Sequence, residues 1–402
     1  MLGLPASCLR PRDLRRGAAL TLAFVAAVTT AAGLGCWDGA GAASRAGAGP
    51  GLTAADTAAP GSGPSGPAAG TADREAVARA AAEAVAEGKS GKKAAQEVVS
   101  RSGDRWGVVY DQGEYAALAD DLDGRWTGVG LWPERRADGH IEITKVQPGS
   151  PAARAGLSAG DRLLDVDGRT VTGLRVAEVV GLLRGEVGTP VVVRFGRDGA
   201  ADRAETLRRE RLRTEPVTVR ELPGGVTVIK IASFSRGSGE RVKAAVEAAP
   251  AGAGVMLDLR GNPGGLVTEA VTAASAFLDG GLVATYDVRG DERALYAAPG
   301  GDTARPLVTL VDGGTMSAAE LVTGALQDRG RAVAVGTRTF GKGSVQMPTE
   351  LPDGSVAELT VGTYRTPAGR SLDGKGITPD VAAGTAVEER ARAVLGGLGA
   401  GS

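Results

Sequence analysis

The sequence contains few of the residues that build common catalytic and structural sites. Among its 402 residues, aromatic side chains account for 3%, and there are two cysteines and one histidine. Both cysteines, Cys8 and Cys36, precede the part with regular hydrophobic patterns, which excludes a structural disulfide or a cysteine metal site there. The lone histidine, His140, is the one imidazole base open to a Ser-His-Asp triad.

An excess of charge of one sign is also missing. The chain has 46 basic and 47 acidic residues, and no basic tract stands out beyond the first twenty residues. Proteins that bind nucleic acid usually carry a concentrated basic surface, so we expect no nucleic-acid partner. The hydrophobic content of 43% is enough to bury a sizeable core in two or three domains.

Residues 1–37 have the pattern of a signal peptide or a membrane anchor. A largely apolar run over 17–34 follows four arginines: Arg10, Arg12, Arg15 and Arg16. Three outcomes are open: cleavage after the A-x-A-like 40–42, lipidation at Cys36, or retention as an anchor with the basic end inside. Lipidation is disfavoured because "GLGC" has Gly where a lipobox normally has an aliphatic residue. Each outcome places the protein outside the cytoplasm, membrane-anchored or secreted.

The next segments differ sharply in composition. Residues 38–72 are mostly Ala, Gly, Pro and Ser, which cannot bury enough apolar surface to order the chain, and we expect a flexible linker. Residues 73–123 are rich in helix formers, so we expect an N-terminal helical region. Residues 386–402 are expected to form a C-terminal helix and tail. The terminal helices could join copies in a homo-oligomer, although plain packing is equally compatible.

Residues 124–213 alternate short strands and helices around polar turns. We expect strands at 127–132 and 140–146, an amphipathic helix at 175–185 and a final hairpin from 189. With "GSPAARAGLSAGDRLLDVDG", this unit resembles a PDZ domain. The resemblance implies a loop whose backbone N–H groups bind the terminal carboxylate of a peptide, which adds a strand to the sheet edge. The loop residues are Gly128, Val129, Gly130 and Leu131. Alternatively, the unit packs and binds nothing.

Residues 214–385 alternate longer strands and helices. Apolar strands are expected at 225–234, 254–261, 306–313 and 331–336, with a helix between neighbours. This order predicts an α/β core with a mostly parallel sheet, supplemented by β-hairpin elements near its end.

One turn in this core is a candidate catalytic site. In "GGTMSAAELVTGALQD", a strand ends at glycines and a helix begins at Ser317. A serine needs an adjacent base to act as a nucleophile. His140 lies in a hairpin of the PDZ-like unit, which disfavours a Ser-His-Asp triad. The G-x-S-x-G elbow also fails, because Thr315 and Ala319 occupy its glycine positions.

The remaining candidate base is Lys342, which lies between two glycines in "TRTFGKGSVQ". A lysine acts as a base only when neutral, which requires an apolar enclosure that lowers its pKa. Phe340 and Val345 are local candidates for that enclosure, and Gln346 could hydrogen-bond the neutral amine. Two alternatives are a solvated surface lysine and a phosphate-binding loop. The second fails because Gly343 stands where such a loop requires Ser or Thr.

Several motifs occur in a family-specific order over about 104–381. They are "LDLRGNPGG", "GGTMSAAELVTGALQD", "GTRTFGKGSVQ" and "YRTPAGRSLDGKGITPD", preceded by the PDZ-like unit. Together they resemble the carboxy-terminal processing, or tail-specific, serine proteases, which carry an inserted PDZ domain. In that family the nucleophile is the middle serine of a Ser-Ala-Ser-Ala-Ser-Glu run. Here residues 315–320 read Thr-Met-Ser-Ala-Ala-Glu, so the flanking serines are replaced and the nucleophile position is kept.

The resemblance assigns roles to individual residues. It implies that Ser317 is the nucleophile, Lys342 the base and Gln346 its support. It also implies an oxyanion hole made by the backbone N–H of Ala318 and that of Gly264 or Gly265. A helix N-terminus favours the developing oxyanion, which agrees with this assignment. The alternative for "NPGG" is a plain turn between strand and helix.

We therefore expect an extracytoplasmic serine endopeptidase. It would bind protein substrates by nonpolar C-terminal tails and cleave them through an acyl-enzyme, with no metal or other cofactor. The PDZ-like unit could also gate the active site, as the resemblance suggests. One rival is a silent tail-binding scaffold, disfavoured because Ser317, Lys342 and Gln346 are all present. Another is an esterase or β-lactam hydrolase, whose lysine lies three residues after the serine, where this chain has Glu320.

Overall fold

The computed structural model describes residues 71–136, 138–197, 199–288 and 291–399. The expected signal or anchor segment and nearly all of the expected linker lie outside this range. Within the described residues, no helix combines the length and apolar character needed to cross a membrane.

The described chain begins with a helical hairpin that packs on the body of the protein. The first helices are α1 (Arg74–Ala86), capped by the Asp73 side chain, and α2 (Gly91–Ser102), capped by Ser90. Small apolar side chains on one face of each helix, such as Ala81 and Ala95, are fully buried against a later strand. A short strand and a third helix follow: β1 (Val108–Tyr110) and α3 (Gln112–Leu122).

The PDZ-like unit is an antiparallel sheet with two helices. Its strand order is β3-β4-β5-β7-β8, with β6 beside β5, so β3 lies at an edge. The elements are β3 (Leu131–Arg135), β4 (Ile141–Val146), α4 (Pro151–Arg154), β5 (Arg162–Val166), β6 (Arg169–Thr170), α5 (Val176–Leu183), β7 (Pro190–Gly196) and β8 (Arg203–Arg208). Alternate residues of the strands, including Ile141 and Ile143, form a separate hydrophobic core.

The single strand predicted at 127–132 is wrong. The chain forms two strands there, in different sheets: β2 (Arg125–Gly128) pairs with β9 (Glu210–Arg213), and β3 follows after a break. The break occurs at Gly130, whose φ of 87° lies in the left-handed region. The β2–β9 ribbon connects the PDZ-like unit to the rest of the protein.

The protease-like core contains a six-stranded sheet in the order β10-β11-β12-β15-β16-β19. Only β10 is antiparallel to its neighbour, which confirms the predicted α/β class with a mostly parallel sheet. The strands are β10 (Val217–Leu222), β11 (Val226–Ile231), β12 (Gly254–Asp258), β15 (Leu307–Val311), β16 (Val333–Gly336) and β19 (Val381–Ala382).

Helices cover both faces of this sheet, as a parallel sheet requires. One face packs on α6 (Ser238–Ala248), α7 (Val267–Ser275) and α8 (Ala318–Asp328), and the other packs on α9 (Val387–Gly399). The helix α8 is buried along nearly its whole length.

A second, antiparallel sheet lies beyond α8. Its order is β1-β18-β13-β14, with β17 also paired to β18. The strands are β13 (Leu282–Val288), β14 (Asp291–Tyr296), β17 (Ser344–Glu350) and β18 (Val356–Arg365). Because β1 precedes the PDZ-like unit and β18 follows it, that unit is inserted within the core.

Candidate active site

Ser317 lies at the N-terminus of α8, immediately after the turn that ends β15. Its backbone has φ 52° and ψ −118°, and it is one of two described non-glycine residues with positive φ. Such a conformation is strained for a residue with a side chain, and it persists only where the surroundings enforce it. Strain of this kind concentrates at functional sites.

The turn before Ser317 is fixed by buried polar contacts. Asp312 Oδ1 accepts the backbone N–H of Gly314 and of Gly261, both at 2.9 Å. The fully buried hydroxyl of Thr315 donates to the Leu259 carbonyl at 2.9 Å and accepts the Asp312 N–H at 3.0 Å. Thr315, one of the departures from the family motif, therefore ties the turn to the end of the neighbouring strand.

Glu320 joins the serine segment to the lysine segment. Its fully buried carboxylate accepts the backbone N–H of Ser317 at 2.9 Å and of Lys342 at 2.8 Å, both on Oε2. On Oε1 it accepts the N–H of Gly341 at 2.8 Å and the hydroxyl of Thr339. The sequence interpretation missed this role, although Ser-x-x-Glu at a helix start is a recognisable capping signal.

The Lys342 side chain lies in an apolar environment. Its Nζ is 5.4 Å from the ring centroid of Trp106, and Phe340 packs against the same ring at 5.7 Å. Burial lowers the pKa of Lys342, and the charge of Glu358 opposes that shift. Val345, which was expected to enclose the amine, faces the hydrophobic core instead. Trp106, which the sequence interpretation missed, lies beside the amine in its place.

The polar ends of the candidate dyad are not joined in this structure. Among the described residues, no hydrogen bond links Lys342 Nζ to Ser317 Oγ. Gln346 Nε2 donates to Ser344 Oγ at 2.6 Å, rather than to the amine as expected. Its strand has an irregularity in register between Val345 and Gln346.

The "NPGG" turn brings backbone donors close to Ser317. A methyl group added to Gly264 would lie 3.0 Å from Ser317 Cβ and 3.1 Å from Ala318 N. However, the N–H of Gly264 already donates to Asn262 Oδ1 at 2.8 Å. Among the described residues, the N–H groups of Gly265 and Ala318 make no hydrogen bond. The pair available to an oxyanion is therefore Ala318 and Gly265, not Gly264.

One pocket of about 230 Å³ contains Ser317, Lys342 and Gln346 together. Its remaining wall comes largely from α3, the start of α7, and strands β17 and β18. These lining residues include Tyr115, Leu118, Leu122, Leu266, Val267, Pro348, Glu358 and Tyr364. His140 does not line this pocket; it contacts Asp138 and Glu142 in the β3–β4 hairpin.

The predicted carboxylate loop lies beside the edge strand of the PDZ-like unit. All four of its residues, Gly128 to Leu131, are buried. The carbonyls of Val129 and Gly130 accept N–H groups from Ala152 and Gln147. The N–H groups of Val129 and Gly130 donate no hydrogen bond within the described part of the chain, so they remain available to a ligand.

The fold and the pocket together define a class: an α/β core with an inserted PDZ-like unit and a candidate Ser–Lys site. Residues 225–383 match the model of peptidase family S41, and residues 142–197 match the model of the PDZ domain. The chain belongs to peptidase family S41, which confirms the resemblance inferred from its motifs.

Several named relatives are similar to this chain. Carboxy-terminal processing protease CtpA of Bacillus subtilis (strain 168) is 32% identical over 294 residues, covering 72% of this chain and 63% of the relative. The chloroplastic C-terminal processing peptidase of Tetradesmus obliquus is 39% identical over 290 residues, covering 66% and 62%. The chain therefore spans less than two thirds of the length of these relatives.

Two solved structures are similar to the chain over a larger share of their length. The photosystem II D1 C-terminal processing protease is 32% identical to this chain, with a TM-score of 0.49. The similarity covers 73% of this chain and 82% of the D1 protease chain. A candidate S41 protease from Bacteroides fragilis NCTC 9343 is 18% identical, covers 74% and 87%, and has a TM-score of 0.51, which supports the fold.

Proposed function

We propose that this protein is an extracytoplasmic serine endopeptidase that binds nonpolar C-terminal tails and cleaves its substrates with a Ser317–Lys342 dyad. The observation that carries the proposal is the shared pocket: a strained serine at a helix N-terminus and a lysine of lowered pKa line the same cavity. Glu320 holds the backbones of both residues on one carboxylate oxygen.

The chemistry begins with the free amine of Lys342. It takes the proton of Ser317 Oγ as that oxygen attacks the scissile carbonyl carbon. The resulting oxyanion accepts the N–H groups of Ala318 and Gly265, aided by the positive end of the α8 dipole. Lys342 then gives its proton to the leaving amine. A water, deprotonated by the same amine, then attacks the acyl carbon; the bond to Ser317 Oγ breaks, and Oγ takes the proton back from Lys342.

Catalysis requires the Lys342 side chain to move from Trp106 toward Ser317. Hydrogen bonds between catalytic groups are often long or absent before substrate binds, and they tighten in the complex. A peptide in the pocket excludes water around the amine, which favours its neutral form. In this state Gln346 would give up its hydrogen bond to Ser344 and bond to the Lys342 amine instead. That bond would hold the amine toward Ser317.

The PDZ-like unit would deliver the tail. The edge strand β3 offers unpaired backbone groups to an extended peptide, and α5 packs beside it. The free N–H groups of Val129 and Gly130 would bind the terminal carboxylate. Export outside the cytoplasm, with or without membrane attachment, depends on residues 1–37 and their basic and apolar pattern.

Mass spectrometry of a purified protein and a peptide with an apolar C-terminus tests this proposal. The wild-type protein should cut the peptide, and Ser317→Ala should bind it without cutting. Residual cleavage by Ser317→Ala would refute the nucleophile. A wild-type protein that binds the peptide and never cuts it would support the silent scaffold instead.

A further inference from the structure

Glu358 is a partly buried carboxyl in the same pocket as the candidate dyad. It is the only acidic side chain among the residues that line the cavity, and most of its neighbours there are apolar. The proposed mechanism assigns it no role. The sequence interpretation also missed it, although an acid between the buried Ala357 and Leu359 is unusual within an apolar strand.

The protein supplies no direct partner for this carboxyl. Its cross-strand neighbours are Val108 on β1 and Pro348 on β17, neither of which has a side chain that can donate a hydrogen bond. Within the described residues, the Glu358 carboxyl takes part in no hydrogen bond or ion pair. Because the side chain is only partly buried and lines the cavity, its carboxyl is open to a ligand that enters the pocket.

The one cation whose charge acts on Glu358 is Lys342, which lowers the pKa of the carboxyl against the effect of burial. Lys342 cannot serve as a permanent partner, because it must be neutral to act as the base. A basic group of a ligand can instead supply a cation that pairs with the carboxylate. The cavity of about 230 Å³ is small for a whole ligand but suited to one side chain.

We propose that Glu358 is a specificity-determining residue that binds a lysine or arginine side chain of the substrate in this pocket. The inference rests on the proposed protease function and names its substrate class. A basic residue near the scissile bond would occupy the pocket, while the apolar tail is held at the PDZ-like unit. The two requirements concern different parts of one substrate.

This arrangement couples recognition to catalysis. A substrate cation paired with Glu358 offsets the negative charge that favours the ammonium form of Lys342. Like charges in one site also disfavour protonation. A basic side chain in the pocket thereby promotes the free amine that takes the proton of Ser317. An uncharged side chain of equal length fills the space without this effect.

The test uses peptides that share an apolar C-terminal tail and differ at one internal position: lysine, arginine, norleucine or glutamate. The wild-type kcat/KM should be higher for lysine than for norleucine by at least about tenfold, because a hydrogen bond to a charged group contributes that much. Glu358→Gln should remove this preference, in KM through the lost ion pair and in kcat through the lost effect on Lys342, while it still cuts the norleucine peptide. Glu358→Asp should restore part of the preference.

Glu350→Gln is the matched control, since Glu350 is an exposed acid on the adjacent strand β17 and lies outside the pocket. It should retain the wild-type ratio. Equal cleavage of lysine and norleucine peptides by the wild type would overturn the inference and leave the protease proposal intact. A preference that survives in Glu358→Gln would overturn it as well. Failure to cut any peptide would instead refute the protease proposal.

A second measurement needs only the wild-type protein. The ratio of lysine to norleucine kcat/KM should fall as pH decreases through the pKa of Glu358, which burial raises above its usual range. Cleavage of both peptides requires neutral Lys342 in the free protein. Its titration therefore changes both kcat/KM values by the same factor and leaves their ratio unchanged. Nearby Tyr110 and Tyr364 have pKa values raised by burial, so they remain protonated in this range. A ratio independent of pH would contradict the role of Glu358.

Discussion

Glu320 Oε2 accepts the backbone N–H of Ser317 at 2.9 Å, and the same oxygen accepts that of Lys342 at 2.8 Å. The two candidate catalytic residues are thus held through their backbones by one fully buried carboxylate. Their side chains remain free to approach each other when a peptide enters. Because Glu320 lies three residues after Ser317, no lysine base can occupy that position on the same helix. Glu320 instead positions a lysine from another segment.

Glu320→Gln should destabilise the protein and slow turnover. An amide has one acceptor oxygen and directs its NH₂ group at backbone donors, so buried N–H groups lose their partners. We expect a loss of about 3 kcal/mol in the free energy of unfolding, measured with urea. Glu389→Gln, at an exposed position in α9, should change it by less than about 0.5 kcal/mol. Equal stability of the two variants would contradict the anchoring role.

Gly264→Ala should impair catalysis more than folding. The added methyl would lie 3.0 Å from the Met316 carbonyl oxygen and from Ser317 Cβ, displacing the serine from the oxyanion donors. We expect kcat to fall by about 100-fold, as when an oxyanion donor is lost. Gly261→Ala is the control, because Gly261 also has positive φ but its added methyl meets nothing within 4 Å. Similar kcat values for both variants would exclude this geometry.

The activity should rise with pH through the pKa of Lys342. Because burial lowers this pKa, the midpoint of kcat/KM should lie below the ordinary lysine value of 10.5. Glu358→Gln removes the charge that favours the ammonium form, so its midpoint should move to lower pH. Lys342→Arg should be inactive, because guanidinium keeps its proton across the accessible range. Normal rates in the arginine variant would show that this side chain is not the base.

Gly130→Ala should weaken tail binding without abolishing hydrolysis of short peptides that lack the tail. An added methyl would lie 2.2 Å from Ser150 Cβ, so the loop that presents the N–H groups must shift. We expect the Kd for an apolar C-terminal peptide to rise at least about tenfold by calorimetry. Gly139→Ala is the control, because Gly139 also has positive φ but its added methyl would meet nothing within 4 Å. This variant should bind the peptide as the wild type does. Unchanged Kd in Gly130→Ala would place the tail elsewhere.

The fold class was predictable because the relevant signals are local. Apolar strands alternating with helices over 214–385 predict a parallel sheet, and the structure confirms it. The split of 127–132 into two strands was not predictable, since hydrophobic alternation continues across Gly130 although the chain changes sheets. Register and sheet membership depend on distant pairing that periodicity does not encode.

The candidate site, like the fold, was only partly predictable from the sequence. Ser317 and Lys342 were identifiable from turn glycines, a helix start and the ordered family motifs. Their surroundings were not, because Trp106, which lies beside the Lys342 amine, and Glu358, which lines the pocket, come from remote segments of the chain. The hydrogen bond from the Gln346 amide to Ser344 and the strand irregularity beside it have no sequence signature.

The most direct test of the central claim is an NMR titration of the Lys342 side chain in Ser317→Ala bound to an apolar-tailed peptide. Labelled lysine, assigned by comparison with Ser317→Ala/Lys342→Ala, reports protonation through its Cε shift. The account predicts a midpoint below 10.5 in the free protein and lower still with peptide bound. A midpoint at or above 10.5 that the peptide does not move would contradict the neutral-lysine mechanism.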